Sequence, residues 1–262
     1  MRLVSWNIHG GIGRDGRRDL PRIASVLHEL GADVAALQEV GDAQRPAADA
    51  EHTLADHAAE LGRLLGWFVA YGPTLVRAGR PYGNAVLSRF KIARARNYDL
   101  SIRGREPRGC LRADVDIEPG ASLHLFNLHW GLSGGERRKQ AAMLLSADLL
   151  RDAALTAPLI VCGDFNMWMP VPGPIARLLR KQLRDVAVIT RTRRATWPAR
   201  LPLLRLDRAY VDSGVQVLGA GVGSGTAAAA SDHLPVWVDL VPLPQRSASA
   251  GDSALAGSRT GA

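Results

Sequence analysis

The sequence predicts an α/β fold of mixed sheets with helices on their outer sides, and two observations carry that prediction. The first forty residues read as strand, helix, strand, the signature of an α/β unit. Further on, "NAVLSR", "LRADVDI" and "LHLFNLHW" are three short apolar runs at close spacing, which favours antiparallel neighbours over crossover connections. With 262 residues, 47% of them hydrophobic and 22% charged, the chain has the composition of a soluble globular protein with a sizeable core.

Residues 2–8 alternate as a strand, and the Gly- and Arg-rich "GGIGRDGRR" follows as a loop. Asp19 caps a helix whose apolar positions Leu20, Ile23, Val26, Leu27 and Leu30 keep helical spacing, with Gly31 at its end. "DVAALQEV" has strand length. A helix is expected near residues 51–65 and a strand at "WFVAYG", ahead of the three closely spaced strands. Residues 135 to about 153 return to a helical pattern, 158–162 to a strand and 174–184 to a helix. Strands at "LDRAYV", "VQVLGA" and "PVWVDL" complete the set. Residues 1–243 are thus expected to form one folded domain. The small, polar stretch 244–262 is expected to be a disordered tail.

No apolar run approaches the roughly 18 residues of a membrane span, and "MRLVSWNIHG" lacks the apolar core of a secretory signal. A cytoplasmic monomer is the expectation. Cys110 and Cys162 read as small core hydrophobes, with no disulfide framework. The net charge of +8 and a pI near 10.3 point to an anionic partner. Only three of the 33 basic residues are lysines, however, so an Arg-favouring genome explains the charge equally well.

Polar groups recur at strand ends. Asn7 and His9 stand two apart after the first strand, and Gln38 and Glu39 close the second. Asn127 and His129 close "LHLFNLHW", while Asp164 and Asn166 end "LIVCGDFN". Asp207 opens "LDRAYV", and Asp232 and His233 precede the last strand. Residues two apart on a strand share a face, so each pair can project together. Each also has a local explanation, such as Asp164 bonding its own backbone in a turn. Taken together, carboxylate, amide and imidazole groups on a rigid scaffold suit phosphate-ester hydrolysis around a hard divalent ion. The lack of thiolate or His-rich clusters argues against zinc.

The ordered set "SWNIHG", "LQEV", "GNAVLSR", "NLHWGL", "GDFN", "RLDRAYV" and "SDHLPV" resembles the endonuclease/exonuclease/phosphatase superfamily, from residue 2 to about 240. That group includes deoxyribonucleases, repair nucleases, neutral sphingomyelinases and inositol polyphosphate phosphatases. The resemblance implies a four-layer, deoxyribonuclease I-like sandwich: two facing mixed β-sheets flanked by helices, with the site at one edge. It also implies an Mg²⁺ or Mn²⁺ cofactor. Glu39 would be the central metal ligand, with Asn7 beside it and Asp232 as a second ligand. Asp164 would orient and activate water, and Asn166 would hold a phosphate oxygen. His233 would touch the scissile phosphate, buttressed by Asp207, and His129 would protonate the leaving group. Arg108 would face a phosphate, and Asn84 would lie near the site.

Two positions depart from the pattern. His9 stands where repair nucleases carry a second acid, which argues against a second metal there. Leu128 replaces the usual Thr before His129, and Trp130 either stacks on substrate or plugs the sandwich edge. The sequence therefore reads as a metal-dependent phosphodiesterase with nucleic acid as its leading substrate. The alternatives are a hydrolase of phospholipid headgroups or of inositol or sugar phosphates. A catalytically silent phosphate-binding adaptor is disfavoured by the intact Glu39 and Asp232–His233.

Overall fold

The computed structural model describes residues 1–41, 56–77, 80–119, 121–156, 158–168 and 173–243. Two six-stranded sheets face one another. The first runs in the order β11 (Val215–Val222), β12 (Val236–Pro242), β1 (Arg2–Asn7), β2 (Val34–Gly41), β4 (Arg80–Ser88), β3 (Phe68–Arg77). The second runs β5 (Lys91–Asp99), β6 (Gly109–Glu118), β7 (Ala121–His129), β8 (Leu159–Asp164), β10 (Asp207–Val211), β9 (Arg184–Asp185). Only β1–β2 and β7–β8 pair in parallel; every other described pairing is antiparallel. Among the described residues six α-helices complete the set: α1 (Leu20–Glu29), α2 (Asp56–Leu65), α3 (Gly134–Leu144), α4 (Pro174–Leu179), α5 (Val186–Ile189) and α6 (Thr226–Ala230).

Strand alternation sorts the apolar residues into three layers of core. Between the sheets, Leu3, Val34, Ala36 and Val86 meet Leu111, Leu125, Ile160 and Ala209. On the outer face of the first sheet, Val4, Trp6 and Leu37 pack under Ile23, Leu27 and Leu61 of α1 and α2. Outside the second sheet, Phe126, Val161 and Tyr210 pack under Ala141, Leu144 and Leu179 of α3 and α4. Each such buried Leu or Ile contributes about 1.5–3 kcal/mol. The result is the expected four layers.

Asn127 joins the sheets by direction as well as by contact. From β7 its Nδ2 donates across the interface to the Leu37 and Ala85 carbonyls at 2.8 and 2.9 Å, and its Oδ1 accepts from Gln38 Nε2 at 2.6 Å. The two amides at these strand ends are fastenings between the sheets.

The α1 cap forms as expected, Asp19 accepting from the Arg22 N–H at 2.8 Å. Other elements differ from expectation. Strand β5 went unforeseen because "KIARARNYD" is exposed at a sheet edge and shows no apolar alternation; its charges suit an unpaired edge. Helix α3 stops at Leu144, where Ser146 Oγ takes the Asp148 N–H and turns the chain, and α4 stops at Leu179. The expected helix near 51–65 is seen from Asp56; residues 51–55 and the expected tail at 244–262 lie outside the described residues. Cys110 and Cys162 are buried and free, on opposite faces of the second sheet.

Candidate active site

The two parallel pairs explain why the polar residues meet. Asn7 ends β1 and Glu39 lies close to the end of β2, while His129 and Asp164 end β7 and β8, so each pair of carboxyl ends emerges at one edge. Asp207 begins the antiparallel β10 directly opposite Asp164, and Asp232–His233 lead into β12 beside the end of β1.

Glu39 needs a local irregularity. Alternation would send it to the outer face with Leu37, but the β2–β4 register slips between Leu37 and Val40, and Glu39 takes a left-handed φ of 57°. The bulge turns its carboxylate into the site. There Oε1 accepts from Asn7 Nδ2 at 2.9 Å, and Oε2 accepts from the Tyr82 hydroxyl in a short hydrogen bond. His9 Nδ1 stands 3.5 Å from Glu39 Oε2 and 3.8 Å from Asp232 Oδ1.

Asp164 uses its two oxygens differently. Oδ1 accepts the Asn166 backbone N–H at 2.9 Å, the turn bond that its sequence neighbourhood allows. Oδ2 faces the site, 3.3 Å from Asn7 Nδ2, 3.6 Å from His129 Nε2 and 3.9 Å from His233 Nε2. His233 Nδ1 pairs with Asp207 Oδ2 at 2.9 Å, and its carbonyl accepts from Trp6 Nε1 at 2.8 Å, fixing the ring. Gly163 lets the strand come this close: a Cβ there would sit 1.9 Å from the Leu128 carbonyl oxygen, at a φ of +139°.

Burial and charge set the protonation states. Burial would raise Glu39, but the hydrogen bonds from His9, Tyr82 and Asn7 outweigh it and hold the carboxyl well below the usual range. Asp164 is pushed up, first by burial and then by the charge of Asp207. Burial would lower His233, yet Asp207 and Asp164 lift it to about 10, so it is an imidazolium at neutral pH. His129 falls to about 3 through burial and the nearby Arg108, and is neutral.

Seven of the expected residues thus converge: Asn7, Glu39, His129, Asp164, Asp207, Asp232 and His233. Three stand differently. Asn166 donates its amide to the Trp130 carbonyl at 2.9 Å, and Asn84 donates to the Gly109 carbonyl at 3.1 Å, beside Arg108. Arg108 is buried, paired with Glu106 at 2.8 Å, and its Nε has no hydrogen-bond partner. Asn7, as oriented, presents Nδ2 rather than Oδ1 to the carboxylates, its Oδ1 accepting the His9 N–H at 3.1 Å. Trp130 is fully buried, edge-on to Phe165 at 4.8 Å, and so plugs the outer core. Sequence reading missed Tyr82; its only signal was the two-residue spacing from Asn84. It also missed Trp197, whose Nε1 lies 3.4 Å from Asp232 Oδ2.

The donor chemistry fits a hard divalent ion. Glu39 and Asp232 offer partly exposed carboxylate oxygens across the same opening, their side chains 20% and 45% exposed. Among the described residues, Asp164, Asp207 and His233 also bring ligand-type atoms within 4.8 Å of one another, but all three are buried. The Asp207–His233 bond already uses two of those groups.

A buried His–Asp pair, a second imidazole and several carboxylates at the edge of a four-layer sandwich define a phosphoesterase-type hydrolase. The chain belongs to the Endonuclease/Exonuclease/phosphatase family, whose pattern it matches over residues 4–233. It is 31% identical over 246 residues to the uncharacterized protein YbhP of Escherichia coli (strain K12), covering 92% of this chain and 96% of that one. Its fold matches the mannosyl-6-phosphatase Bt3783 of Bacteroides thetaiotaomicron with a TM-score of 0.74 at 20% identity, covering 92% of this chain and 99% of the other. It also matches TDP2 of D. rerio complexed with single-strand DNA product, with a TM-score of 0.67 at 20% identity over 92% and 98% of the two chains. Among the described residues no helix is long and apolar enough to cross a membrane.

Proposed function

We propose that the chain is a divalent-metal-dependent phosphodiesterase that cleaves nucleic acid by in-line attack of water, with Mg²⁺ or Mn²⁺ as the cofactor. The observation that carries this reading is Asp164 Oδ2, a buried carboxylate oxygen with an amide and two imidazole nitrogens around it. A raised pKa suits a group that must take a proton from water and hold it. Asp207 keeps His233 charged, so His233 can neutralise charge growing on a phosphoryl oxygen and can yield a proton to a leaving alkoxide. His129, neutral and buried with Nε2 3.6 Å from Asp164 Oδ2, would help to orient that carboxylate, and the expected protonating role moves toward His233. Glu39 and Asp232 would hold the metal, with Tyr82 and Asn7 orienting Glu39. The metal when bound supplies Lewis-acid polarisation of the phosphoryl oxygen.

The net charge of +8 and the TDP2 likeness favour a nucleic-acid strand, while the mannosyl-6-phosphatase likeness supports a sugar phosphate as the second reading. The test is hydrolysis of bis-p-nitrophenyl phosphate, oligonucleotides and mannose 6-phosphate before and after EDTA. Loss of diester cleavage with EDTA and its return with Mg²⁺ or Mn²⁺ is expected. Activity that survives EDTA refutes the metal, and cleavage confined to mannose 6-phosphate refutes the nuclease.

A further inference from the structure

A cavity of about 500 Å³ opens beside the site, lined by Arg137, Arg138, Arg193, Arg205, Arg208 and Trp168, with Met167 and Leu203 as apolar wall. It adjoins the catalytic edge through a chain of rings. The Trp197 ring lies 6.5 Å from that of His233 and 6.0 Å from that of Trp168, which is itself 43% exposed.

The arginines of the crevice are unequally used. Arg205 is spent on Asp185, at 2.7 and 3.1 Å. Arg137, Arg138, Arg193 and Arg208 have no ion pair among the described residues. Arg208 is 8% exposed, its Nε is buried without a hydrogen-bond partner, and its Nη2 reaches the Met167 carbonyl only at 3.4 Å. Arg137 Nε is likewise buried and unpartnered. Arg137 Nη1 donates to the Gly131 and Leu132 carbonyls, but neither Arg137 nor Arg208 has a carboxylate at ion-pair distance among the described residues. Backbone carbonyls compensate a buried guanidinium charge only in part, and a bound anion would complete the compensation.

We propose that this crevice holds the arm of a single-stranded nucleic acid next to the scissile phosphate, a base lying on Trp168 and the following phosphates on Arg138, Arg193 and Arg208. The inference rests on the nucleic-acid reading above and assigns its substrate-binding groove. The cations come from α3, from the loop after α5 and from β10, spread along one recess beside a half-open indole. Spaced cations with an interleaved ring complement a chain of phosphates and bases. A bilayer instead meets a protruding apolar face, with cations at its border.

The test compares steady-state cleavage of dithymidylate and hexathymidylate with Mg²⁺. For the wild type, KM for the hexamer is expected about tenfold below that for the dimer, because only the longer strand reaches the crevice. Arg138→Ala/Arg193→Ala, two exposed positions, should raise the hexamer KM to the dimer value. The control pair Arg63→Ala/Arg94→Ala removes equal charge from α2 and β5 and should keep the difference. Equal KM values in the wild type overturn the proposal, as does a length effect that survives in both pairs or disappears from both. If the wild type cleaves neither oligonucleotide but hydrolyses phosphatidylglycerol vesicles, the nucleic-acid reading itself falls, and the groove assignment with it.

Discussion

Replacing Asp164 by Asn separates the two jobs of that residue. The Asn Oδ1 can still accept the Asn166 N–H now bonded at 2.9 Å, so the turn survives. The other oxygen becomes an NH₂ group facing Asn7 Nδ2 at 3.3 Å and the two imidazoles, and it can take no proton. For stability the terms oppose. Attraction to the charged His233 at 3.9 Å, roughly 4 kcal/mol at an effective dielectric near 20, is lost. Repulsion from Asp207 and the cost of burying a carboxylate are lost as well. Because the folded-state pKa of Asp164 lies above its unfolded value, its contribution to stability is complete below the usual carboxylate pKa and declines as pH rises through the raised one. The substitution should therefore leave the melting temperature unchanged or higher, with the larger gain at higher pH. Turnover should fall about 10²–10⁴-fold, or roughly 3–5 kcal/mol of barrier. The assay is diester hydrolysis with metal saturating, alongside thermal melts at acid and neutral pH. Turnover within a few-fold of wild type, or a melting temperature several degrees lower, would refute the assignment.

Tyr82→Phe removes the hydroxyl that Glu39 Oε2 accepts, and metal affinity measured by titration calorimetry should weaken by about tenfold; an unchanged Kd would make Tyr82 a packing residue. His233 carries a pKa lifted from 6.5 to about 10, so its stabilisation is complete below 6.5 and lost as pH climbs toward 10. Melts of wild type should fall across that window more steeply than those of His233→Gln, and parallel curves would contradict the pairing with Asp207. Gly163→Ala drives a methyl to 1.9 Å from the Leu128 carbonyl oxygen and should cost about 4 kcal/mol or more; a circular dichroism melt matching wild type would show that the β7–β8 approach is not tight.

Much of the site was legible because a period of two is local. His129 and Asp164 lie on inward positions of apolar strands, and reading alternation is enough to find them. Glu39 was found from its motif, but alternation alone would have placed it on the wrong face. Its inward turn depends on a bulge set by pairing with β4, more than forty residues further along the chain. Strand β5 was missed because an exposed edge strand needs no apolar pattern, and its pairing with β6 supplies what the sequence does not advertise. The arginine crevice was missed for a related reason. Arg137, Arg193 and Arg208 belong to separate elements and line one cavity only in the folded chain. The net charge hinted at it without locating it.

Apolar contact between two sheets is non-directional, so a sandwich held by it alone can slip in its own plane by fractions of an ångström at little cost. Hydrolysis cannot tolerate such slippage, since Glu39 rides on one sheet and Asp164 on the other. The Asn127 amide, with its three bonds to Leu37, Ala85 and Gln38, acts as a dowel at that end of the interface. An aspartate there would face two carbonyl oxygens and push the sheets apart. The alignment of acid against acid is thus fixed by a side chain that never meets the substrate.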